Sequence, residues 1–419
     1  MRVFNKYAAL NKLENKNNKK VKRNSIIVCA AVLIFAILYF SFARFESTQS
    51  FSLINGVGYI KPIPITSKMI SLAANGATDL EYDGVDTLGE LGTSDNNLRY
   101  VGANPNNYIY FNCSTTEPTQ MNDTTCEKWR IVGLMNNVED ESGNSASRVK
   151  ITREPFDTKY TFDSSDSSVN SGRGINQWGE STNQDGTPYE GSDIMRELNT
   201  DYLGNTTIGT DGKWYNGRNN EKTASMPERL LSSSAKDMVE TVVWKVGSIS
   251  IENGSYDSRW SQCSSLKVYN RERTEYNWVL YSDDNINRTT RWTGKISLIY
   301  ASDYDYATSG GNAMNKNTCL NASSKNWLTT SDENYKDCFN NDWLRSSKTY
   351  YTLNMLDIYE GSHTVFALSS QGYSNIAYSY ETDNIRPSLY LKLNVAITSG
   401  NGTESNPYKI VIDTSLEPR

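Results

Sequence analysis

The pattern of apolar and polar positions divides the chain sharply. The stretch IIVCAAVLIFAILYFSFA, Ile26 to Ala43, is almost wholly apolar: it holds no charge and a single Ser. That length is near the minimum for a helix crossing about 30 Å of hydrocarbon. Beyond residue 95 the period changes. LRYVG and YIYFN, on either side of ANPNN, read as strand, turn, strand, with Tyr108 and Tyr110 on one face and Ile109 and Phe111 on the other. WRIVGLM (Trp129 to Met135) and RVKITRE (Arg148 to Glu154) read as the next strands. GKISLIYASDY, TVFALSS and RPSLYLKLNVAI supply strands near the end.

Two segments carry helical spacing instead. SDIMRELNTDYL starts at a Ser192 N-cap and places Ile194, Met195, Leu198 and Tyr202 on one face. SMPERLLSSSAKDMVETVVWKVG has Pro227 in its first turn, with Leu231, Ala235, Met238, Val242 and Val246 in a stripe and Gly247 as a stop. Both stripes read as core faces. The entry stretch NNLRYVGANPNNYIYFN is rich in Asn and Tyr, but its alternation makes it scaffold.

Charge gives the apolar run a direction. Residues 1–25 carry eight Lys/Arg against one acid, Glu14, while the whole chain has net charge −6. A basic flank predicts a cytoplasmic N-terminus and an exported body. SFA at Ser41 to Ala43 also fits a cleavage site, so a removed signal peptide is the rival reading. The acidic body lacks the clustered cations that nucleic-acid binding needs, which excludes that class. The expected organisation is a basic cytoplasmic tail (1–25), a transmembrane signal-anchor helix (26–43), a stalk or entry segment (44–95) and an extracellular domain (96–417). The protein is thus expected in the cell membrane as a single-pass, cell-surface chain. Cys29 lies in the apolar run, and five cysteines lie outside it. Nearest-neighbour pairing gives Cys113–Cys126 and Cys319–Cys338 and leaves Cys263 over. Connectivity is not fixed by sequence, and an oxidising exterior permits such bonds.

The order LRYVGANPNNYIYFN, CEKWRIVGLM, VKITRE, INQWGES with IMRELNTDYL, GKISLIYASDYDYAT and IRPSLYLKLNVAITSGNGTESNPYKIV resembles uncharacterised membrane-anchored surface proteins of low-GC bacteria, which share an ectodomain of unknown function. The Arg-Pro-x-Leu-Tyr-Leu strand in turn resembles the last strand of C-type-lectin-like folds, the group of the formylglycine-generating enzymes. The resemblance implies an α+β, C-type-lectin-like ectodomain of short antiparallel strands with two helices, preceded by one transmembrane helix. It does not carry over sulfatase-activating chemistry, because no close Cys pair is placed for copper.

Candidate chemistry is sparse. The single histidine, His363, has no G-x-S-x-G elbow to serve, and two-histidine zinc motifs are impossible. No catalytic residue is assigned. Two carboxylates suffice for glycoside hydrolysis, yet nothing singles out a pair among 48 Asp and Glu. No cofactor and no firm metal site are expected. Calcium is the one candidate ion, with Asp303 and Asp305 or Asp283 and Asp284 as weak ligands that match no twelve-residue loop. Tyr300, Tyr304 and Tyr306, with Tyr373, Tyr378 and Tyr380, are the candidate ligand-binding platform. The expected function is non-catalytic binding of an extracellular glycan or protein, as in adhesion, with membrane contact through residues 26–43. A structural role among envelope proteins is the alternative, and a carboxylate-dependent hydrolase comes third.

Overall fold

The computed structural model describes residues 61–163, 174–183, 191–204, 229–247, 264–273, 289–322, 335–359 and 362–416, with short strands at 53–54, 57–58, 188–189, 214–215, 221–222 and 286–287. The chain divides into two units, Met1–Lys61 and Pro62–Arg419. In the first, Leu53–Ile54 pairs with Val57–Gly58.

The second unit is organised by a ten-stranded sheet. Numbered along the chain, its strands are β1 (Ile63–Pro64), β2 (Leu80–Tyr82), β3 (Leu98–Tyr100), β4 (Tyr108–Phe111), β5 (Glu127–Glu139) and β6 (Ser145–Thr152). Four more follow late in the chain: β7 (Ile296–Leu298), β8 (Pro387–Tyr390), β9 (Val395–Ser399) and β10 (Tyr408–Ile412). The hydrogen-bonded order is β7-β8-β6-β5-β4-β10-β9-β1, while β3 pairs with both β2 and β5. β5 is the spine. Trp129 to Met135 are all buried, so both faces of this strand are covered, and a near-continuous apolar run rather than alternation is what such a strand requires. A second, five-stranded sheet joins Lys159–Thr161, Tyr350–Tyr359, Ser362–Leu368, Ser374–Tyr378 and Thr382–Ile385.

Several expectations are corrected. The α+β arrangement of short antiparallel strands with two helices gives way to a mostly-sheet protein, 36% strand and 24% helical, with multiple sheets. Some ladders are parallel, Tyr408 opposite Ile109 and Tyr350 opposite Asn384. The C-type-lectin-like expectation falls with that arrangement. No helix among the described residues is long and apolar enough to cross a membrane, and Ile26 to Ala43 lie outside the described residues. The stretch expected as a stalk contributes, from Ile63 on, strands β1 and β2 to the main sheet. LRYVG and YIYFN do not form a hairpin. β3 pairs with Leu134 and Gly133, β4 with residues 127–130, so both run along the same strand β5, one after the other.

The helices are short. Ser192 caps α1 (Asp193–Asn199) through its Oγ, which accepts from the Met195 amide at 3.4 Å. Of the helix expected over 225–247, the described residues 229–247 hold α2 (Ser233–Met238), and Val242–Lys245 is a strand paired with Arg291–Gly294. The β-branched run Thr241, Val242, Val243 favours that extended state over continued helix. Two further helices matter below, α3 (Ser265–Arg273) and α4 (Ala301–Asp305). Disulfides join Cys113 to Cys126 between β4 and β5, and Cys319 to Cys338 between two short helices. Cys29 and Cys263 lie outside the described residues.

Candidate functional site

Three strands bring two cations to one point. Arg99 on β3 stands opposite Gly133 on β5, and Gly133 stands opposite Lys150 on β6. The middle position has no side chain. A Cβ there would collide with the Leu98 carbonyl oxygen and come within 3.2 Å of the Arg99 Cα. Across this gap Arg99 and Lys150 converge on Asp303 of α4. Arg99 Nη1 donates to one carboxylate oxygen at 2.8 Å and Lys150 Nζ to the other at 2.5 Å. Asp303 also accepts from the Tyr300 amide at 3.0 Å, closing the first turn of α4. On its far side Arg99 binds Asp83, which is further held by the Thr93 hydroxyl at 2.5 Å and the Asn97 amide at 2.6 Å.

Burial alone would push the Asp303 carboxyl up, but Lys150 and Arg99 override it and hold the group well below the usual carboxylate range. Lys150 is fully buried and drawn down to about 8 by desolvation, against the pull of Asp303. Its ammonium lies 4.3 Å from the Tyr300 ring centre and 5.2 Å from that of Trp244. These contacts favour the cation in a dry setting.

Above this network opens a cleft of ≈ 430 Å³. Its walls come from residues 94–97, the end of β5, Val243 and Lys245, helix α3, Tyr300 and Tyr390. A bulge in β5 between Met135 and Val138 turns Asn136 and Asn137 toward the loop before β3. The Asn136 side chain donates to the Asp95 and Asn96 carbonyls at 3.0 and 2.8 Å. Asn137 has φ 56° and donates to the Asp95 carboxylate at 2.9 Å. Asn tolerates this left-handed conformation better than other side-chain-bearing residues.

Helix α3 supplies the opposite wall. Tyr269 and Arg273 are one turn apart, and the guanidinium carbon lies 3.6 Å from the Tyr269 ring centre and 4.6 Å from that of Tyr300. Arg273 Nη1 donates to Glu272 at 2.8 Å, while Nη2 has no partner among the described residues. The Tyr269 hydroxyl donates to Asp95 and is pushed up to about 12, first by burial and further by that carboxylate. Among the described residues, Asp95 is the one carboxylate on the walls. Glu272 sits behind them, fully buried, accepting from the Ser302 amide at 2.9 Å. The exposed wall residues are Ser94, Asn137 and Asn270, and Lys245 and Arg273 are half-buried. Such a surface has the chemistry to hydrogen-bond a polar guest. Hydrolysis by a carboxylate pair would need a second acid on the walls.

The residues singled out in the sequence fall in different places. Tyr300, Tyr304 and Tyr306 are buried, with Tyr304 donating to the Gly372 carbonyl at 2.6 Å and Tyr306 to that of Leu91 at 2.8 Å. Of these, Tyr300 alone reaches the cleft wall. Tyr373 and Tyr378 are half-buried and Tyr380 is exposed, and Tyr378 and Tyr380 stack with centroids 5.5 Å apart. The six therefore do not build one platform. Asp303 has both oxygens engaged by cations, and Asp305 is buried and pushed up to about 8, first by desolvation and then by Glu272. Asp283 and Asp284 lie outside the described residues. No group of three or more acids, histidines and cysteines able to hold a metal occurs among the described residues. His363 lies on the second sheet, buried, away from the cleft.

Sequence reasoning missed Asp95, Asn97, Asn136, Asn137 and Arg273. The available signal was the doublet Asn136-Asn137 interrupting a long strand, which marks a bulge. No family model matches the chain, and neither a curated protein nor a solved structure matches it.

Proposed function

We propose that the body of this protein is an extracellular, non-catalytic binding domain that takes a polar ligand, of glycan type, in the cleft beside Arg273. The observation that carries this reading is the character of the walls. Side-chain amides and hydroxyls, with one guanidinium edge and one lysine, line a concavity whose single described carboxylate is already engaged by Tyr269 and Asn137. Convergent polar groups on a rigid frame are how concave sites orient a guest. The charge network beneath makes the frame stiff, since Arg99, Lys150, Asp303 and Asp83 are each anchored by at least one partner of opposite sign. Export is supported by the basic leader, the apolar run after it and the two disulfides, which belong to an oxidising compartment.

A glycan-array screen of the full chain, run with calcium and again with a chelator, tests this. The reading expects saturable binding to a structurally related set of sugars that survives chelation. A folded sample that binds no glycan, yet co-purifies with one fixed envelope protein, would replace it with an assembly role.

A further inference from the structure

A second pair of buried cations, Arg130 on β5 and Arg386 just before β8, has no buried carboxylate bonded to it among the described residues. Arg130 on β5 stands directly opposite Tyr108 on β4. Its guanidinium carbon is 4.1 Å from the Tyr108 ring centre and 4.7 Å from that of Trp343, so the flat ion is bracketed by two aromatic rings. Nε donates to Asn107 Oδ1 at 2.7 Å and Nη2 to the Pro105 carbonyl at 3.4 Å. Both acceptors are neutral. Among the described residues no carboxylate comes within ion-pairing distance of Arg130, although Glu154 and Glu404 act on it from farther away; Nη1 has no partner there, and the residue is 7% exposed.

The neighbouring cation adds a second positive charge. Arg386, fully buried, lies 5.9 Å from the Trp343 ring centre and donates to the Leu344 carbonyl at 2.6 Å. Its one carboxylate contact among the described residues is Glu154, at 3.4 Å, with a side chain 60% exposed. Desolvation first, and Arg386 after it, draw the Arg130 guanidinium down to about 10, so it remains protonated at neutral pH. A buried charge normally has a counter-ion.

We infer that Arg130, bracketed by Tyr108 and Trp343 and backed by Arg386, is a binding site for an oxyanion, the carboxylate or phosphate group of an external ligand. The fit is geometric as well as electrostatic. A guanidinium has five donors in a planar fork, which matches both groups, and the two rings fix its plane before the anion arrives. The site is distinct from the cleft, whose walls share none of these residues.

The test is a titration of the full chain with inorganic phosphate and, separately, with acetate at constant ionic strength, read from arginine Nε–Hε resonances. Saturable shifts of the Arg130 signal are expected. Saturation by phosphate alone assigns a phosphate-bearing ligand, and saturation by acetate alone a carboxylate. Arg130→Gln should weaken binding by at least about tenfold, and Arg130→Lys, which keeps charge but loses the fork, by a lesser factor. Non-saturating shifts with both anions would overturn the proposal, as would undiminished binding by Arg130→Gln. Should that variant fold poorly, Glu154→Gln decides instead. Removing the exposed competing carboxylate should tighten binding by about two- to threefold, and unchanged or weaker binding contradicts the assignment.

Discussion

Two pairs of buried cations, Arg99 with Lys150 and Arg130 with Arg386, are treated oppositely by the protein. Arg99 and Lys150 meet on Asp303, and Asp83 takes the far side of Arg99, so charges and hydrogen bonds close within the fold. Arg130 and Arg386 have aromatic rings and carbonyls around them, and among the described residues the exposed Glu154 is the one carboxylate in ion-pair contact with either, while Glu404 and Asp342 act from farther away. The first pair is a strut that holds α4 on the sheet beneath the cleft. The second is the proposed oxyanion site. The difference teaches that burial of a cation does not by itself say whether it is structural. What surrounds its donors does.

The largest expected effect comes from breaking the strut. Asp303→Ala strands two buried cations and should cost about 3–5 kcal/mol in chemical unfolding. A loss below about 1 kcal/mol would mean the network is ornamental. Gly133→Ala attacks the same point from the backbone. Its Cβ meets the Leu98 carbonyl oxygen and the Arg99 Cα, so β3 must shift, at about 1–3 kcal/mol.

Asp305 sharpens the contrast through pH. Its carboxyl is raised from 3.8 to about 8 in the fold, so between these values the folded chain binds more protons than the unfolded one. The stability it contributes is complete below 3.8 and is lost as pH rises to about 8. Asp305→Asn keeps the shape without the titration. It should match the wild type in acid and exceed it by about 1–3 kcal/mol at pH 8, as read from unfolding midpoints across pH. A parallel pair of pH profiles would contradict this. At the second pair, Arg130→Lys gives up the bond to buried Asn107 and the fit against the two rings, and should cost about 1–3 kcal/mol. Tyr380→Ala, on the exposed stacked pair, should stay within about 0.5 kcal/mol.

Much of the strand content was legible, because WRIVGLM, RVKITRE and RPSLYL carry β-branched and aromatic residues in runs that extended backbone favours. The pairing was not. The turn signals of GANPNN look local, yet the connection joins two strands laid end to end along β5, a choice made by that strand's thirteen-residue length. The shortening of α2 was readable in its β-branched tail. The two disulfides follow the nearest-neighbour pairs.

The sites were harder to read for a physical reason. Arg99, Lys150 and Asp303 are separated by as many as 204 positions, and only strand register aligns them across Gly133. Tyrosines at 300, 304 and 306 look like a surface platform by composition, but the short helix α4 turns them inward. The Asn- and Tyr-rich entry stretch is scaffold in its strands, while its Asn97 lines the cleft and its Tyr108 brackets Arg130.

Filling the cleft tests ligand binding there directly. Asn270 is exposed on α3 at the cleft wall, so Asn270→Trp adds bulk there without disturbing the core. Affinity for the best glycan of the array should fall by at least about tenfold while the unfolding midpoint stays unchanged. Undiminished affinity in a folded Asn270→Trp protein would show that the ligand binds elsewhere and would contradict the account.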